Sequence, residues 1–281
     1  MSLKSTVQKK LSNYTNIAIW GAGGLADNAL KRWVSKDKIS YIIDPNTNKQ
    51  GSTLHGIDIV SPDHINANPP DCIIICSSAY LEIMAKLKNS TYNNAYFYIY
   101  EMFIPEGKEL GHLQKLKIDI VASRNVNWLQ FLLKKPQILV NISYRVTRFL
   151  QEKWYLFPLY WISYFFHYNF CTLTGIQLPL ELEAGAGLIF AHPGTIVFTG
   201  RAKIGNFVTI YHCCTIGTTL TGNSPEVGNF VTIYTGSHVL GGCNIGDYTT
   251  IGAMSLLLDL KTEGHCVIAG IPASIKKTYN L

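Results

Sequence analysis

A period of six residues governs the C-terminal part of this chain. Ile204, Ile210 and Ile216 are spaced by six, and so are Val227, Ile233, Val239, Ile245, Ile251 and Leu257 after one interruption. The next residue is glycine at Gly205, Gly217, Gly228, Gly246 and Gly252, and the fourth residue on is small or β-branched at Val208, Cys214, Val231, Ser237, Cys243, Thr249 and Ser255. Two positions of the six are thus restricted beyond what composition imposes. A β-sandwich would give a period of two with no fixed six, whereas a six-residue repeat is the mark of a β-helix. One hexad cannot bury its aliphatic alone, so successive coils must stack the aliphatics into one core. The interruption, Thr218 to Glu226, is polar and turn-rich, which predicts a loop projecting from the coil.

The N-terminal part follows another pattern. From Asn16 the sequence NIAIWGAGGLADNALKRW reads as strand, glycine-rich turn and helix, with helical spacing at Leu25, Ala29, Leu30 and Trp33. Apolar runs at Ile39 to Ile43 and Cys72 to Cys76 read as further strands, Gly56 to Val60 alternates, and Ser61-Pro62-Asp63 looks like a helix start. Alternating strands and helices imply a small parallel α/β sheet. Between the two parts, glycine-poor sequence from Leu113 to about Thr174 reads as helices broken at Pro136 and Pro158. The expected organisation is an α/β domain over 1–112, a helical connection over 113–175 and the β-helix over 176–281.

Within the connection, Trp154 to Phe170 is strongly aromatic. It falls short of the ~20 apolar residues that a spanning helix needs, so burial in a core is preferred over membrane contact. The seven cysteines form no CxxC pair and no Cys/His metal spacing, so no metal is expected, and the thiols read as buried and free in a reducing cytoplasm. The leading residues lack the apolar stretch of a signal peptide. A net charge of +6 from 24 scattered Lys and Arg suits anionic small molecules and argues against a nucleic-acid partner.

The hexads resemble those of the left-handed β-helix acyltransferases, and Tyr155 to Leu281 resembles the serine acetyltransferase branch, including relatives that acetylate bacterial surface sugars. That resemblance implies the handedness, acetyl-CoA as cosubstrate, and a homotrimer binding coenzyme A between neighbouring subunits, with Tyr211, Tyr234 and Tyr248 offering apolar area for the contact. It makes His192, in LIFAHPGTIV, the catalytic histidine. It puts Gly236 and Ala253 beside the pantetheine arm, Lys276 and Lys277 near the phosphates, and VIAGIPASIKK as the closing segment. Serine acetyltransferases place an aspartate fifteen residues before the histidine, where this chain has Gln177, and a His-Pro in the projecting loop, where it has Ser224-Pro225. The departures favour a hydroxyl or amine of a sugar or sugar nucleotide in surface-glycan synthesis as acceptor, with serine as the alternative. The N-terminal third resembles the Rossmann-like domain that precedes the β-helix in sugar acetyltransferases such as the bacillosamine and sialic-acid enzymes. There Gly21-Ala22-Gly23-Gly24-Leu25-Ala26 matches G-x-G-x-x-A. By that match Gly21, Gly23 and Gly24 admit a diphosphate and Asp44 accepts from a sugar hydroxyl; the alternative is a turn retained without its ligand.

Acetyl transfer from a thioester needs the acceptor deprotonated as it attacks, and a histidine titrating near neutrality suits that task. His212, in IYHCCTIG, is the second candidate, and Gln177 is placed to hold the His192 imidazole by a neutral hydrogen bond. Two other classes compete. A nicotinamide-dependent oxidoreductase is disfavoured because Tyr80 has no lysine four positions on, and a non-catalytic sugar-nucleotide binder would make His192 dispensable.

Overall fold

The computed structural model describes residues 3–105, 107, 109–123, 135–220 and 222–280. The chain divides into two compact units, one of Met1–Lys108 with Tyr279–Leu281 and one of Glu109–Thr278.

In the first unit the apolar runs become strands β1 (Ile17–Trp20), β2 (Ile39–Ile43), β3 (Thr53–Leu54), β4 (Ile57–Val60), β5 (Cys72–Ile75) and β6 (Ala95–Tyr98), with helices α1 (Leu3–Lys10), α2 (Gly24–Arg32), α3 (His64–Ala67) and α4 (Tyr80–Lys88). The order across the sheet is β3-β4-β2-β1-β5-β6. All neighbours run parallel except β3 and β4, in agreement with the expected parallel α/β sheet. The antiparallel pair is a hairpin turned by His55 and Gly56, both at positive φ, the two-residue turn whose twist matches the strands. Every residue of β1 and β5 is buried, which is why these central strands read as unbroken apolar runs.

The second unit begins with α5 (His112–Ser123), α6 (Gln137–Gln151) and α7 (Phe157–Thr174) and continues as a parallel β-helix whose three faces are sheets of five, five and six strands. The register couples successive coils: Ile204 lies on Val227, Ile210 on Ile233, Ile216 on Val239, and these on Ile245, Ile251 and Leu257. All nine hexad aliphatics are in the core, and so are all seven small or β-branched positions. Both restrictions in the repeat therefore have one cause, a side chain pointing into a narrow stacked interior. The glycine after the aliphatic has a separate reason at one corner. A Cβ on Gly205 would stand 2.5 Å from the backbone carbon of Gly228 in the next coil, and one on Gly185 would stand 2.5 Å from that of Gly205. The coil starts earlier than the hexad count, with Ile176, Ala184 and Phe190 forming its first turn in the same core and Ile196 opening the second in register with Ile176.

Strand edges at both ends of the coil are covered, at the C-terminal end on one of the three faces. At the C-terminal end Ser274–Thr278 returns antiparallel along Cys266–Ala269. At the N-terminal end, side chains of α5 and α6 take up the backbone groups of the first coil. Asp119 accepts from the N–H groups of Gly187 and Leu188 at 2.6 and 3.0 Å. Arg145 donates to Asp119 at 2.8 Å and to the carbonyls of Ala184 and Gly185, Asn141 donates to Leu188 O, and Arg148 donates to Leu180 O. An open strand edge is thereby covered.

The aromatic segment departs from expectation. Pro158 starts α7 within its first turn, where a missing N–H costs nothing, and only His167 and Thr174 of that helix are buried. Trp154 is 86% exposed, Phe165 62% and Leu173 74%. The helix packs one narrow stripe on α6 and the coil and leaves the remainder open, so the expected burial in a core is not realised. Among the described residues no helix is long and apolar enough to cross a membrane. The cysteines are free, but Cys213 is exposed, contrary to the expectation of uniformly buried thiols.

Candidate active site

The third face of the coil ends in a corner where equivalent residues of successive coils stack. His192 stands two residues after the core residue Phe190, and His212, Thr235, Ala253 and Gly270 stand two after Ile210, Ile233, Ile251 and Ile268, which are in register. At about 4.8 Å per coil this ridge runs about 19 Å from His192 to Gly270. His192 is exposed at its start. Its ring centroid lies 5.9 Å from that of His212 and 6.0 Å from that of Tyr211, which in turn stacks on Tyr234 at 4.9 Å.

Gly194 makes this pairing of histidines possible. Its φ is +142, and a Cβ there would meet the His212 Cβ at 2.9 Å, so only glycine lets the second imidazole sit against the first turn. Nδ1 of His212 is buried with no hydrogen-bond partner among the described residues. The Gly194 N–H donates to Thr174 O at 2.9 Å, which ties the His192 corner to the end of α7. Beside that junction lies a groove of about 770 Å³, walled by Tyr160, Trp161, Tyr164 and Tyr168 of α7 and by Gln177 and Glu181 from the coil entrance.

The structure thus brings His192 and His212 together. It places Gln177 on the groove wall, exposed and paired in register with Val197, and no hydrogen bond joins it to His192 within the subunit. Gly236, at φ +72, has its Cα face against the Met254 sulfur, and Ala253 is exposed on the ridge. Lys276 and Lys277 are exposed on the closing strand. Ser224 is half-buried in the projecting loop, of which Thr221 lies outside the described residues. Tyr248 does not share a face with Tyr211 and Tyr234; it stacks between Phe230 and His265 at another corner.

Asp44 also differs from expectation. Its carboxylate accepts from the Ala22 N–H at 2.8 Å, the Asn46 N–H at 2.9 Å and the Lys49 ammonium at 3.0 Å, so it pins the glycine turn instead of standing free for a sugar hydroxyl. Burial alone would raise this carboxyl, but the two N–H groups and Lys49 hold it below the usual carboxylate range. Gly21 is needed by the fold, since a Cβ there would stand 2.7 Å from Cys76 O, whereas Gly23 and Gly24 have open space. Asp44→Ala is expected to destabilise the first unit by about 1–2 kcal/mol, because two backbone N–H groups, one half-buried and one exposed, lose a charged acceptor. Because the folded value is lowered, this stabilisation is present above the unfolded pKa near 4 and is lost as pH falls through the folded value. Urea midpoints of wild type and variant should therefore converge in acid; a gap that is constant with pH would refute the assignment.

The C2185-like, N-terminal family matches residues 13–96. The serine acetyltransferase of Helicobacter pylori is 30% identical over 168 residues, 59% of this chain and 95% of that protein. Among solved structures, a serine acetyltransferase in complex with CoA aligns with a TM-score of 0.50 at 26% identity, over 58% of this chain and 69% of that one. A serine acetyltransferase in complex with cysteine aligns with a TM-score of 0.52 at 25% identity, over 60% and 67%.

Proposed function

This chain belongs to the serine acetyltransferase family and is an acetyltransferase, and we propose that it moves acetyl from acetyl-CoA to a hydroxyl group of a small acceptor with His192 as general base. The observation that carries the assignment is the exposed His192 at the head of the corner ridge, with His212 beside it. A neutral ring nitrogen of His192 takes the acceptor proton as the oxygen attacks the thioester carbonyl; the tetrahedral oxyanion collapses, the C–S bond breaks, and the imidazolium returns the proton to the thiolate. The ridge from His192 past Thr235 and Ala253 gives the pantetheine arm a bed of small side chains. It leads toward the closing strand, where Lys276 and Lys277 are placed for phosphates. The left-handed sense of the coil and assembly as a homotrimer belong to the same proposal.

Serine is the acceptor that the relatives' names point to and the first to test. A sugar hydroxyl is the second reading, favoured by the groove beside His192: aromatic rings line it, and Gln177 contributes an amide where a carboxylate would hold an amino group. Acetyl-CoA turnover, followed by free thiol release, should separate the two. O-acetylserine formation with kcat/KM at or above the ordinary lower end of about 10⁴ M⁻¹s⁻¹ supports serine and excludes the sugar reading. Turnover confined to amino sugars or nucleotide sugars reverses that, and no thiol release with any acceptor would remove the enzyme assignment.

A further inference from the structure

The open face of α7 is too large and too uniform to be ordinary surface. From Trp154 to Leu180 the chain carries no Asp, Glu, Lys or Arg, and eleven large apolar or aromatic side chains between Trp154 and Leu173 are exposed. At about 150–250 Å² per aromatic side chain they leave roughly 1,000 Å² open, about twice the 300–600 Å² of the largest patch on a typical monomer. The exposure runs along the whole helix, from Trp154 and Phe157 through Ile162 and Phe165 to Leu173. Residues 113–153, which precede it, carry eight Lys or Arg against two Asp or Glu, and with the buried Arg145–Asp119 pair set aside seven cations face one carboxylate.

We propose that this face docks the protein on an anionic lipid surface, with α7 lying in the plane of the headgroups. Tryptophan and tyrosine, apolar bodies with polar tips, are the side chains that settle at that depth. A helix exposed end to end, and not apolar enough to span, buries its area by lying flat. The cationic excess just before the helix complements anionic headgroups. A protein partner fits less well, because such an interface has a polar rim that fixes register and this face has no charged side chain to supply one. The same helix walls the groove beside the His192 corner, so docking sets that groove at headgroup level.

The test is cosedimentation of the full chain with vesicles of phosphatidylcholine mixed with phosphatidylglycerol, and with phosphatidylcholine alone. Binding to the mixed vesicles, weaker to the neutral ones, is expected. Ile162→Glu with Phe165→Glu should weaken it by about a hundredfold, given what two such side chains contribute on burial. Neither residue lines the groove, so circular dichroism and turnover of a soluble acceptor should stay at wild-type values. Ile162→Ser with Phe165→Ser serves if the charged pair disturbs folding, and tryptophan emission should be quenched by brominated lipid. Absence of binding to the mixed vesicles, or binding indifferent to both variants, overturns the proposal. A lipid-free sedimentation coefficient that drops in the variants would assign the face to a second copy of the chain instead.

Discussion

Replacing His192 by alanine is expected to lower kcat by about 10²–10⁴, the usual worth of general base catalysis, while coenzyme A affinity and the coil itself stay nearly unchanged. The side chain is exposed at a corner and contributes nothing to the stacked core, so its loss removes chemistry without removing packing. His192→Asn should behave alike, since an amide keeps polarity without a nitrogen that can hold the proton. His212→Ala should act more weakly and through KM as well as kcat, because its ring lies beside the first imidazole at 5.9 Å and its Nδ1 is buried. Steady-state kinetics on the two single variants and the double variant separate the roles. More than about a tenth of wild-type turnover remaining in His192→Ala would move the base to His212, and full turnover in both single variants would leave the corner without a catalytic role.

The repeat was legible because its cause is local and strict. Each of Ile210, Ile233 and Ile251 meets the same narrow interior, so the same kind of side chain returns at every sixth place. The start of the coil was harder to read. Ala184, Phe190 and Ile196 keep the period, but eight residues separate Ile196 from Ile204, and alanine and phenylalanine do not announce themselves as members of an aliphatic series. Phe190 and Ile210 are in register, so His192 and His212 share the second position after a core residue, a pairing that the spacing of the sequence carries. Gly194 gave no signal because its need for glycine comes from a residue eighteen positions away. Asp44 and α7 mark the opposite limit. A carboxylate at a strand end looks the same whether it awaits a ligand or caps a turn, and an aromatic helix has the same sequence whether a core or a lipid surface receives it. Partners, not local preference, decide both.

Arg145→Met is expected to destabilise the second unit by about 3–5 kcal/mol, the cost of leaving one member of a buried ion pair alone. Arg145 and Asp119 are both essentially inaccessible to solvent; burial pushes the Asp119 carboxyl up, against the pull of the guanidinium and the two N–H groups it accepts from. In many buried pairs, replacing both partners by apolar residues restores stability or increases it. Here it should not. Asp119 holds the Gly187 and Leu188 N–H groups, and Arg145 holds the Ala184 and Gly185 carbonyls, all on the first coil, where no earlier strand exists to take them. Asp119→Leu with Arg145→Met would therefore leave the Gly185 carbonyl and the Gly187 and Leu188 N–H groups without partners at the mouth of the coil, and Ala184 O with Lys115 alone, each unpartnered group costing about 1–3 kcal/mol if it stays dry. The double variant should remain at least about 3 kcal/mol below wild type, with the loss reported by denaturant unfolding followed through the β-sheet signal. The first coil should also lose amide protection before the later ones, because fraying starts where the edge is uncovered. A double variant as stable as wild type would show that the pair only neutralises itself, and that water or another side chain closes the edge.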